Sequence, residues 1–117
     1  MARDPKLPTQ VPEAGYYYHY KHKADGAVNN YAYYIYGIGL HTEDDCRPQD
    51  QFMLVYRPLY EAYVYMNGKM FDVRPLDMFY EPAMLDGVSV PRFVKIEDAS
   101  VIAELKVIRQ RMYPSEN

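Results

Sequence analysis

Residues 15–23 read GYYYHYKHK: four tyrosines, two histidines and two lysines in nine positions. Its conformation sets how the rest of the chain packs. As a strand it sends alternate side chains to opposite sides, so Tyr16, Tyr18 and Tyr20 share one face and Tyr17, His19 and Lys21 the other. Tyrosine suits such a two-sided element, because its ring offers apolar area while its hydroxyl seeks water or a hydrogen-bond partner. The whole chain carries fourteen tyrosines and no tryptophan. Two-sided sheets use rings in this way, and so do binding surfaces.

Working outward, Asp25-Gly26 marks a turn, and YAYYIYGIGLH (31–41) is a second, longer strand. Both of its faces are apolar or aromatic, which predicts a central strand covered on both sides. Gly37 and Gly39 interrupt it and predict a bulge or bend. TEDDCRPQD (42–50) is a polar loop, and FMLVYRPLY (52–60) is a third strand whose Pro58 belongs at an edge or a bulge. Asn67-Gly68 predicts a type I′ hairpin. Counting outward pairs Val64 with Phe71, Ala62 with Val73 and Glu61 with Arg74, and assigns Ala62, Val64, Phe71 and Val73 to the core. PLDMF (75–79) is one helical turn opened by proline, closing one end of the fold, and Asp86-Gly87 is another tight turn. Asp98 caps a final helix whose apolar face is Val101, Leu105, Ile108 and Met112.

A length of 117 residues fits one domain and one core. The formal net charge of −3 implies no general field for polyanions, although a local basic patch is compatible with it. One cysteine, Cys46, permits no internal disulfide, and the first fifteen residues contain no apolar run of the signal-peptide kind. No window approaches the roughly 18 apolar residues of a membrane helix. A cytoplasmic protein is expected. The fold class is mainly β: a small, SH3-like bent β-barrel of five or six strands with a C-terminal α-helix. Residues 1–14, with Pro5, Pro8 and Pro12, form an extended arm; 15–94 form the barrel; 95–117 form the helix and tail packed on it.

Five motifs follow in order: Gly15-x-Tyr17-x-His19-Tyr20-Lys21, Tyr33-x-Ile35-x-Gly37-x-x-x-His41-x-Glu43, Val55-Tyr56-x-x-Leu59-Tyr60, Arg74-Pro75-Leu76-x-Met78-Phe79 and Val90-Pro91-Arg92-Phe93. In these the chain resembles the small bacterial family catalogued as domain of unknown function 1653, over roughly residues 15–94. The resemblance implies a compact barrel similar to SH3-like folds and implies no activity.

Candidate binding residues are Tyr17, His19, Lys21, His41, Glu43, Tyr60 and Arg74. Histidine serves as acid, base or ligand near neutral pH, and Arg74 can hold a carboxylate or phosphate with two parallel bonds or tie Glu61 in place. A hairpin turning near residue 26 sets His19 opposite about Tyr33 or Tyr34, with His41 well beyond. The two imidazoles meet only if the second strand folds back. The acidic loop lacks metal-ligand spacing, and Gly37-Ile-Gly39 is not a phosphate loop. No catalytic constellation, metal or cofactor is expected. The leading reading is a non-enzymatic binding module with a tyrosine-rich surface, serving a protein, peptide or small-molecule partner as a monomer or weak homodimer. One alternative is a small enzyme using His, Glu and Arg in a pocket at the barrel end. The other is a single-stranded nucleic-acid binder using Tyr17, His19, Lys21 and Lys23.

Overall fold

The computed structural model describes residues 8–60 and 70–116. In chain order it contains β1 (Gly15–His19), β2 (Ala32–Leu40), β3 (Phe52–Pro58), β4 (Asp72–Pro75), α1 (Leu76–Tyr80), β5 (Ala83–Leu85), β6 (Val88–Val90), β7 (Phe93–Lys95) and α2 (Ala99–Met112). Short 3-10 turns lie at Pro48–Asp50 and Pro114–Glu116. Five strands form one antiparallel sheet in the order β4-β3-β2-β1-β7, and β5 pairs with β6 in a separate hairpin. The fold is therefore mainly β with a C-terminal helix. The described residues hold seven strands where five or six were expected, and Pro91, which has no N–H to donate, divides VSVPRFVKI into β6 and β7. Among the described residues no pairing joins β4 to β7, so the main sheet has two edges where a closed barrel was expected.

The aromatic β2 occupies the centre of the sheet, as its two-sided apolar pattern requires. Its register against β3 slips between Ile35 and Gly37, which face Tyr56 and Val55. Tyr36 is thus the extra residue of a bulge, and Gly37 takes φ 142°, a conformation that side chains rarely adopt. The bulge matters for packing. Ile35 and Ile38 are three apart and would alternate to opposite sides in a regular strand, yet both join the same apolar cluster. The Asp86-Gly87 turn has φ 51° and 79°, the two positive values that a type I′ hairpin demands.

Alternation in β1 divides the molecule into two faces. Tyr16, with Tyr18 and Tyr34 beside it, packs with Ala32, Leu59, Ile96, Leu105 and Tyr113 beneath α2. The helix begins where Asp98 accepts hydrogen bonds from the Ser100 and Val101 N–H groups, and it lays Val101, Leu105, Ile108 and Met112 onto this face. Its tail is locked by a buried cation. The Arg57 guanidinium, 4% exposed, lies over the rings of Phe71 (3.9 Å) and Tyr113 (4.5 Å) and donates to Glu116 Oε1 at 2.6 Å. Arg109 donates to the other Glu116 oxygen at 3.1 Å, the Tyr36 hydroxyl donates to Oε1, and the Tyr113 hydroxyl donates to the Pro58 carbonyl at 2.7 Å.

Two expectations change. Phe71 and Val73 are 46% and 54% exposed, where a core position was predicted. Val73 pairs with Val55 on β4, the outermost strand among the described residues, and the helix-covered cluster is built from β1, β2 and the chain beyond β3. Phe71 packs instead on Tyr36 and Arg57. The Asn67-Gly68 turn, with Ala62, Val64 and Glu61, lies outside the described residues, as does the predicted Glu61–Arg74 pair. His19 pairs with the chain at Tyr31, about two positions short of the predicted partner, because the β1–β2 connection is centred nearer residue 25. Pro58 fits its strand: the next N–H, on Leu59, bonds to Ala32 of β2, so the position without a donor points to the opposite side, beyond the last β3–β4 pair, Tyr56 with Asp72.

Candidate functional site

The second face is built from Tyr17 and His19 of β1, Tyr33, Ile35 and Ile38 of β2, Leu54 and Tyr56 of β3 and Phe93 of β7. Its two ends differ. At one end α1 inserts Leu76, 5% exposed, and stacks the Phe79 ring on Phe93 at 5.3 Å and edge-on to Tyr17 at 5.7 Å. This is the predicted plug. Outside it, Pro8, Thr9, Gln10, Leu76, Asp77 and Tyr80 line a shallow cleft of about 250 Å³.

The other end is half open. His19 lies 4.4 Å from the Tyr20 ring, 5.2 Å from Phe93 and 6.2 Å from Tyr33, and it stacks on Tyr31 at 5.7 Å. Tyr31 continues to Tyr60 at 5.6 Å, and Tyr60 meets Tyr33 edge to face at 5.6 Å with their hydroxyls hydrogen-bonded. Edge-on and offset contacts of this kind each add roughly 0.5–1.5 kcal/mol beyond the area they bury. Tyr31 is exposed and holds φ 50°, a left-handed conformation unfavourable for a tyrosine. The His19 N–H bond to the Tyr31 carbonyl, at 3.0 Å, holds it there.

Burial, reinforced by the positive charges of Lys21, Arg92 and Arg74, brings His19 down to about pH 4. The ring is thus neutral near pH 7. Its Nδ1 accepts the Lys21 backbone N–H at 3.2 Å, which leaves the proton on Nε2. Burial likewise raises Tyr33, Tyr56 and Tyr60 above their ordinary range, in Tyr33 with help from the bond to Tyr60, so these hydroxyls stay protonated. Asp72 is raised by burial, an effect that Arg74 opposes. The Arg74 charge on β4 is the smallest of the three that oppose protonation of His19.

Of the predicted residues, Tyr17, His19, Lys21, Tyr60 and Arg74 gather about this face, with different parts. Tyr17 is 5% exposed, and its hydroxyl donates to the Glu13 carbonyl; it forms the floor. Lys21 and Arg74 are exposed at the margin. His41 and Glu43 lie elsewhere, past the far end of β2. The His41 N–H bonds to the Gln51 carbonyl, and its Nδ1 accepts from the Glu43 N–H. The whole of β2, nine residues, separates His41 from the His19 end, so His19, His41, Glu43 and Arg74 do not assemble. Sequence reasoning missed Tyr31, Tyr33, Phe93, Asp72 and Arg92. Alternation in YAYYIY carried a signal for Tyr33, which pairs directly with Tyr17; Arg92, in a connecting segment, was marked only by the Val90-Pro91-Arg92-Phe93 motif. Among the described residues no group of three or more His, Cys, Asp or Glu could hold a metal ion, and no helix is long and apolar enough to cross a membrane.

A family model described as Protein of unknown function (DUF1653) matches residues 15–95, and the chain belongs to that family. The matched segment spans β1 to β7, and α2 lies beyond it. No curated protein and no solved structure matches the chain.

Proposed function

We propose that this member of the family is a non-enzymatic binding module that takes its ligand on the half-open aromatic end of the second face. One observation carries the reading: His19, Tyr31, Tyr33 and Tyr60 form a connected set of rings that α1 does not cover and that ends in the exposed, left-handed Tyr31. Backbone strain persists where surrounding structure enforces it, commonly at ligand contacts. Large rings also give contact area at low entropic cost. Aromatic grooves on SH3-like sheets offer an analogy, which bears on the kind of surface and not on the ligand. The fitted α2 face favours a monomer, and the single cysteine favours the cytoplasm.

The test is a ¹H–¹⁵N and aromatic ¹H–¹³C NMR screen with a ring-bearing fragment library. Shifts confined to His19, Tyr31, Tyr33 and Tyr60, and lost in Tyr31→Ala, support the site. Shifts centred on α2, or none from any fragment, refute it.

A further inference from the structure

The ligand class can be narrowed, given the binding reading above. We propose that the open aromatic end binds single-stranded nucleic acid without sequence preference, its bases stacking on Tyr20, His19, Tyr31 and Tyr60 and its phosphates held by Lys21, Arg92 and Arg74.

Successive rings in this set are 4.4, 5.7 and 5.6 Å apart, from Tyr20 through His19 and Tyr31 to Tyr60. A track of four rings is longer than one base needs and suits consecutive bases on a strand. None of these rings is fully buried, whereas Tyr17, the earlier candidate for stacking, lies in the floor. Stacking on a ring tolerates any base, because every base presents a π-face.

The charges complement a strand. Lys21 follows β1, Arg92 precedes β7 and Arg74 stands on β4, and all three act on His19. Two of them also border a ring of the track, Lys21 at 5.9 Å and Arg92 at 5.8 Å from the Tyr20 centroid. Cations drawn from three segments suit a chain that carries a charge at each residue better than a single phosphate group. The neutral imidazole stacks without adding a charge of its own. Asp72 also faces these rings, on the β4 side, where Arg74 opposes its charge. The acidic surplus of the chain is concentrated elsewhere, with Glu43, Asp44 and Asp45 in the loop past the far end of β2.

The experiment is a fluorescence-anisotropy titration of the full chain with labelled oligo-dT and oligo-dA of 12 nucleotides, from 20 to 200 mM salt, beside the same oligonucleotides as duplex. The expected result is similar affinity for both single strands, weaker binding to duplex, and a log–log salt slope near −2, since each phosphate neutralised on a single strand contributes about −0.7. Tyr31→Ala should weaken binding roughly tenfold or more at every salt concentration. Lys21→Gln should flatten the salt slope by about 0.7. Circular dichroism and thermal melting confirm that both variants fold. Binding indifferent to Tyr31→Ala, or stronger binding to duplex, overturns the proposal. Absence of oligonucleotide binding at 20 mM salt, with fragment shifts still at His19 and Tyr31, refutes the nucleic-acid assignment and leaves the binding site standing; loss of both refutes both.

Discussion

The two faces of the main sheet are both paved with tyrosine, yet one is sealed and the other half open. On the first, Tyr16 and Tyr34 meet edge to face at 4.9 Å and Arg109 lies 3.6 Å over Tyr34, with α2 above them. On the second, α1 covers only the end that holds Leu76 and Phe79, and it leaves the rings around His19 at the margin. Tyrosine content therefore does not distinguish a core surface from a binding surface. The length and apolar pattern of the covering helix make that distinction: fourteen residues with a continuous stripe against five.

The contrast can be broken most forcefully at α2. Leu105, on the inner side of α2, is fully buried, and Leu105→Ala should cost about 3–4 kcal/mol, read by urea unfolding. Next is Glu116→Ala, which leaves the buried Arg57 without its carboxylate and should cost about 3 kcal/mol in the same assay. A variant as stable as the parent would show that the tail contributes nothing to sealing the first face. Asp98→Ala removes the cap from the Ser100 and Val101 N–H groups and should lower stability by less than either of these, in the same assay.

Acidification sharpens the contrast from the other side. His19 takes up a proton near pH 4 when folded and near 6.5 when unfolded, so between these values the unfolded chain binds more protons. Stability from this group is complete above pH 6.5 and falls as pH drops toward 4. The loss should be modest, since the imidazole is partly solvated. His19→Asn should flatten that part of the stability–pH curve, and an NMR titration of His19 should show its midpoint well below 6.5. The smallest effect belongs to Tyr31→Ala. It should change stability by less than about 1 kcal/mol, because the ring is exposed and alanine, which keeps the Cβ, leaves the left-handed strain as it was. A large loss of stability would make Tyr31 a core residue and place it with the first face.

Much of this arrangement was legible in local pattern. Gly15–His19 alternates as read, but the strand stops there and Tyr20 to Lys23, expected to continue it, turn away; Asp86-Gly87 turns as its composition demands, Pro75 opens the helical turn that plugs one end, and Asp98 starts α2. Arg57 was not legible as the anchor of the C-terminus, because its partner Glu116 lies 59 residues away. Nor was the exposure of Val73, since a hairpin register fixes which residues share a face and not whether anything covers that face. The candidate residues were split by the same limit. Arg74, from a strand distant in sequence, acts on His19 electrostatically, while His41 and Glu43 remain past the far end of β2.

The sequence alone determined the period-two strands, the tight turns, the bulge-prone glycine in β2 and the capped helix, because each depends on neighbours a few positions apart. Only the tertiary structure decided which tyrosine face α2 would cover, that no described pairing joins β4 to β7, and that His19 would stay uncharged among three cations. Those outcomes depend on burial and on charges brought close by segments far apart in the chain, and burial is a property of the assembled sheet.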